Sequence, residues 1–135
     1  MLKPIAVLLA GMLIATNPAP ELGVRNRLKE LAGKAGHDCG RAAKASENSS
    51  KSTCAMDSYK RKIPFFVQYS VIGTDAHVEE GLAFDSQQRL FHVWTVSESP
   101  LYGGKPSDKI DVHLCDARSL RKLDDGELTC SFNPQ

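Results

Sequence analysis

The sequence predicts an α+β fold, with one or two helices packed on a four- to five-stranded antiparallel sheet and braced by disulfides. Three observations predict it. Apolar residues recur at helical spacing only in the first half of the chain. From Phe65 onward, β-branched and aromatic residues run in short alternating stretches separated by turn-like segments. The four cysteines fall in two equally spaced pairs, Cys39 with Cys54 and Cys115 with Cys130. Helices followed by hairpin-linked strands imply an antiparallel sheet with a helix on one face.

The first segment reads as a secretory leader. Lys3 precedes "PIAVLLAGMLIA", about a dozen apolar residues, which is the length of a signal core. It is short of the roughly 20 that a membrane-spanning helix needs, so no integral span is expected once the leader is removed. Residues 1–19 form the expected leader, 20–50 a helical arm and polar loop, and 51–135 a helix plus antiparallel sheet domain. Net charge is +1, which does not suit a general nucleic-acid binder. The distribution is uneven: residues 20–62 hold ten Lys/Arg against five Asp/Glu, and residues 63–135 hold six against eleven. Two complementary solvated faces explain this, and a basic segment resting on an anionic lipid or wall polymer is the functional counterpart.

In "ELGVRNRLKELAGKAGHD", Val24, Leu28, Leu31, Ala32 and Ala35 share a helical face and Gly36 supplies a stop. With few large apolar groups, this helix reads as a loosely docked arm. Residues 45–53 are Ser/Asn/Thr-rich and read as loop. A second helix is expected from about Ser50 to Arg61, with Cys54, Ala55, Ser58 and Tyr59 on one face. Lys60, Arg61 and Lys62 suit its C-terminal dipole, and Pro64 ends it. Strands follow at 65–73, 77–85, 89–96 and 109–115, the second and third joined by the hairpin "DSQQ". In the last of them Ile110, Val112 and Leu114 are expected inward. "ELTCSF" is expected to add a short fifth strand after the Asp124-Asp125-Gly126 turn.

Cysteine zinc sites usually present close pairs such as Cys-x2-Cys, and thioredoxin-like chemistry needs Cys-x-x-Cys; neither is present. An even cysteine count in an exported chain favours two disulfides. Local pairing is the first choice, the two other connectivities staying open. Each closed loop would contribute about 3 kcal/mol in the chain-entropy model.

His77, His92 and His113 lie in predicted strands, near Glu79 and Asp111. If all three imidazoles share a face with a carboxylate, they suit a divalent metal or an acid/base pair. A one-residue slip moves any of them to the other face, so scattered surface histidines are the competing reading. His37 is expected to be exposed. The adjacent Glu79 and Glu80 must point to opposite faces of a strand. No Gly-x-Ser-x-Gly elbow or His-Glu-x-x-His helix is present, and "YGGKPS" lacks phosphate-loop spacing. No cofactor is expected. Asn48-Ser49-Ser50 fits a glycosylation sequon. Strand 89–96 is apolar on both faces and adjoins the loop 98–108: either the N-terminal helix covers its second face, or an exposed aromatic patch makes Phe91, Trp94 and Tyr102 the candidate contact surface.

The arrangement from Cys39 to Cys115, with a cysteine-bearing helix, Pro64-Phe65, Gly73-Thr74-Asp75 between two strands and a later strand ending in cysteine, resembles short exported bacterial proteins of no established activity. The resemblance implies export and the α+β layout and carries over no catalytic residue. The expected function is a non-enzymatic exported binding module, periplasmic or secreted, for an envelope or extracellular protein or polymer. The alternatives are a small metal-assisted hydrolase built on the three strand histidines, and a purely structural envelope protein.

Overall fold

The computed structural model describes residues 19–132 apart from 100, 102, 104, 106 and 108. The expected leader up to residue 18 and Tyr102 lie outside the described residues. The elements are α1 (Pro20–Ala32), β1 (His37–Ala42), α2 (Asn48–Lys60), β2 (Phe65–Ile72), β3 (Ala76–Phe84), β4 (Leu90–Glu98), β5 (Asp111–Cys115), β6 (Arg121–Lys122) and β7 (Leu128–Thr129). Strands β1 to β5 form one sheet in chain order, and β6 pairs with β7 in a separate ribbon.

The fold is α+β, but the sheet is mixed. Strand β1 runs parallel to β2, while the β2–β3, β3–β4 and β4–β5 pairs are antiparallel. A parallel neighbour requires a crossover, and α2 is that crossover. The sequence HDCGRA conceals this strand: it has no apolar alternation, and Gly40 takes φ +89° where the register with β2 shifts. The expected fifth strand does not join the sheet, because Leu128–Thr129 pairs with Arg121–Lys122. The segment after β7 meets β5 through the isolated bridge of Phe132 to Cys115 and the Cys115–Cys130 disulfide.

Each face of the sheet carries one helix. On one face α1 buries Val24, Leu28 and Ala32 against Phe66, Ala83 and Val93, with Ile110 and Val112 beside them; Leu114, expected inward, is exposed. The close approach is set by Gly81, where an added Cβ would lie 2.3 Å from Val67 O and 2.5 Å from Leu28 Cδ1. The expected arm is therefore part of the core, and residues 20–50 also supply β1. On the other face α2 buries Asn48, Ser52, Ala55 and Ser58 over Phe65, Val67, Phe84 and Leu90. Its buried side chains are small and mostly polar, so the polar ones need partners. Ser52 Oγ finds them in Tyr69 Oη, 2.6 Å away, and in the carbonyl of Gly126. Tyr59 packs edge-on against Phe84, and its hydroxyl donates to Ala117 O at 2.5 Å.

Both disulfides form in the local pairing, Cys39–Cys54 between β1 and α2 and Cys115–Cys130 between β5 and the C-terminal segment. Such bonds fit an oxidising compartment. No helix among the described residues is long and apolar enough to cross a membrane.

Candidate functional site

Strand alternation sorts the polar residues of the sheet into two groups. In register with Gln68 and Ser70 on the α1 side stand Gly81 and Glu79, with His77 opposite Ile72. Glu79 is fully buried and its carboxylate is saturated. It accepts from Arg41 Nε at 2.5 Å and Nη2 at 3.2 Å, from Gln68 Nε2 at 2.9 Å and from His77 Nε2 at 2.8 Å. Gln68 Nε2 also donates to Glu21 O of α1 at 2.8 Å, and His77 Nε2 lies 3.3 Å from Ser70 Oγ. The hydrogen bond to Glu79 raises the Arg41 pKa against the opposing effect of burial. This network links β1, β2, β3 and α1. A buried carboxylate with every acceptor site engaged is a clamp, and losing one partner would leave it exposed to its full desolvation penalty.

On the α2 side, His92 of β4 stands directly opposite His113 of β5. Both rings pack on Trp94, with centroids 4.9 and 4.5 Å from its own. Phe132 covers the three, 4.6 Å from His113, 5.7 Å from Trp94 and 5.8 Å from His92. Glu80 pairs in register with Trp94 and lies 3.1 Å from His92 Nε2. Glu127, just before β7, brings a second carboxyl against Glu80 while itself only 6% exposed. Burial, the hydrogen bond with Glu80 and the charges of Glu80 and Asp125 push Glu127 up to about 9. Burial alone would push Glu80 up as well. The hydrogen bonds from His92 and Glu127, with the charge of His92, outweigh burial and hold it below its ordinary value. The pair therefore keeps one proton at neutral pH, on Glu127. Beside it Tyr69 bonds Ser52 and accepts from Leu128 N at 3.3 Å; burial first of all pushes its hydroxyl up to about 12.

Beyond these rows the α2 side opens to solvent. Val71, Val78 and Val96 align in register across β2, β3 and β4, with Val71 and Val96 exposed.

The expected three-histidine site is thus divided. His92 and His113 share one face, but His77 lies on the other, hydrogen-bonded to Glu79. Asp111 pairs in register with Trp94 and is 3.9 Å from Lys109 Nζ. Phe91 likewise parts from Trp94: it pairs in register with Ala83 and Leu114 on the α1 side, under the Arg89 guanidinium at 5.6 Å. Asn48 of the sequon is buried and its Nδ2 donates to Asp125 O at 3.2 Å, so the folded chain does not present it for modification. Among the described residues, one group of three metal-capable side chains converges within 4.8 Å, exposed His37 with Cys39 and Cys54, and both sulfurs are committed to the disulfide.

Glu80, Glu127, Tyr69, Phe132 and Arg41 are functional candidates that sequence reasoning passes over. The alternation rule separates Glu80 from Glu79, but nothing periodic in "DDGELT" points Glu127 at it across 47 residues. No family model, curated protein or solved structure matches this chain.

Proposed function

We propose that this protein is an exported binding module that holds an envelope or extracellular partner, protein or polymer, on the open part of the sheet face it shares with α2. The observation that carries the reading is the row of Val71, Val78 and Val96, in register on three neighbouring strands, with Val71 47% and Val96 54% exposed. A contiguous apolar row facing solvent marks a contact surface far better than scattered exposed residues do. Trp94 lies in the next row and supplies a rigid aromatic anchor, the residue type that most often dominates an interface. The two disulfides fit an oxidising compartment and so support export. The saturated Glu79 network supports a scaffolding role for the opposite face.

The test is a photo-cross-linking side chain placed at Val96, with Lys29 on the exposed side of α1 as the control position. The expected result in native envelope is an adduct through position 96 that is absent through position 29 and lost in Trp94→Ala. Equal yields from both positions, or an adduct indifferent to Trp94→Ala, would overturn the surface. Absence of any adduct favours a purely structural protein.

A further inference from the structure

Strand β1 ends at Ala42, opposite Tyr69, whereas β2 continues through Ser70, Val71 and Ile72. At that point the chain turns away: the Ala43 N–H donates to Glu47 Oε1 at 3.0 Å, and a single 3-10 turn at Ala45–Glu47 leads into α2. The departure leaves a cavity of about 390 Å³ between Lys44 and Asn48 on one side and Ser70–Ile72 on the other, with Asp125 at its wall. That volume lies within the range of about 300–1,000 Å³ typical of ligand pockets.

Two features show what chemistry the cavity takes. First, the β2 main chain has a free edge there. The Gly73 N–H bonds Ala76 O at 2.8 Å, closing the β2–β3 hairpin. By the alternation of an antiparallel ladder, the main-chain groups of Ile72 then point away from β3, toward the side that β1 has vacated. Second, Asn48 lines the cavity, is 4% exposed and spends its Nδ2 on Asp125 O, while its Oδ1 is buried with no hydrogen-bond partner among the described residues. A buried amide oxygen without a donor is uncommon and costly. The cavity therefore offers a strand's donor and acceptor edge, an amide side chain in its wall, one lysine and one aspartate in its lining, and the side chains of Val71 and of Ile72, the latter 51% exposed.

We infer that this slot receives an extended peptide segment of a partner polypeptide, which adds to β2 in line with β1. The main chain of the guest pairs with Ile72, and an acidic group on it meets Lys44. Strand addition of this kind takes affinity from main-chain hydrogen bonds and specificity from alternate side chains. A β-branched guest residue fits beside Val71, which continues the slot into the valine row. The inference rests on the reading of the chain as a binding module and specifies its partner as a protein with an extended, apolar-acidic segment.

The probes are a set of fluorescent alternating pentapeptides such as Thr-Val-Thr-Val-Glu, each with a twin N-methylated along the main chain. The full oxidised chain is expected to bind members of the set and to reject the methylated twins. Amide exchange at Ile72 should slow by about tenfold on binding. Ile72→Pro removes an N–H the fold itself does not use, at a free edge where proline is tolerated, and should weaken binding by about tenfold. Circular dichroism should confirm the fold of that variant. Equal binding of the methylated twins, or no slowing at Ile72 with any peptide, would overturn the slot. Protection of Ile72 that grows with protein concentration alone would overturn the partner and assign the slot to a second copy. The two readings fail separately: Val96→Lys disables the valine row and leaves peptide binding intact, whereas Ile72→Pro leaves the cross-link at position 96.

Discussion

Mild alkali should destabilise this protein well before its lysines and tyrosines titrate, and Glu127 is the reason. Its carboxyl is pushed from an ordinary 4.5 up to about 9 in the folded chain. Between those two values the folded state holds a proton that the unfolded state has released. Unfolding stability then falls as pH rises, by up to about 1.4 kcal/mol per pH unit for the one proton. The contribution is complete below the unfolded value and is lost as pH climbs through the folded one. Glu80 works in the opposite sense: its folded pKa is lowered, so its contribution is present above the ordinary carboxylate range and is lost as pH falls through its folded value. From pH 6 to pH 8 the wild-type chain is expected to lose up to about 3 kcal/mol, or roughly 10 °C in Tm for a domain of this size. Glu127→Gln keeps a hydrogen-bond donor against Glu80 and removes the titrating proton. The assay is thermal melting by circular dichroism at pH 5, 6, 7 and 8 without reductant, read as the difference between variant and wild type. That difference should favour the variant increasingly from pH 6 to pH 8. A difference that does not change with pH would refute the shared proton.

Two further substitutions test the scaffold. Arg41→Met leaves the Glu79 carboxylate buried without its cation, and urea unfolding should show a loss of about 3 kcal/mol. Gly81→Ala drives a Cβ into Val67 O and Leu28 Cδ1, and should destabilise by about 1–3 kcal/mol with faster amide exchange confined to α1. Unchanged α1 exchange in that variant would mean that the helix does not depend on the close approach.

The parts of the fold that were legible in the sequence are those that repeat a local rule. Alternation at Phe65–Ile72, the short "DSQQ" connection and the equal spacing of the cysteines each report a nearby partner, and β2, the β3–β4 hairpin and both disulfides follow from them. Strand β1 gives no such report. Its Cys39 and Ala42 are buried, but charged residues and a glycine lie between and beside them, and its pairing with β2 is created by a helix crossover rather than by its own side chains. The same reason hides the face assignments. His77 and His92 both look like strand histidines, and only the register of β3 against β4 sends them to opposite sides. Glu127 is the extreme case, since a short turn brings it to Glu80 with no periodic signal at all. The Val71–Val78–Val96 row is visible as three valines in three strands, but its exposure is not.

The two disulfides have a consequence that follows from their position in the sheet. Strands β1 and β5 are its outermost strands, and each carries one cysteine of a separate bridge, while β2, β3 and β4 carry none. Each bond therefore fastens a border. If β1 or β5 came away, β2 or β4 would present a full row of unpaired main-chain groups to neighbouring molecules, the template from which aggregation grows. Oxidation in this protein thus holds both rims of the sheet in place, while β2 past Ala42 and β4 past Trp94 run on beyond their border strands among the described residues.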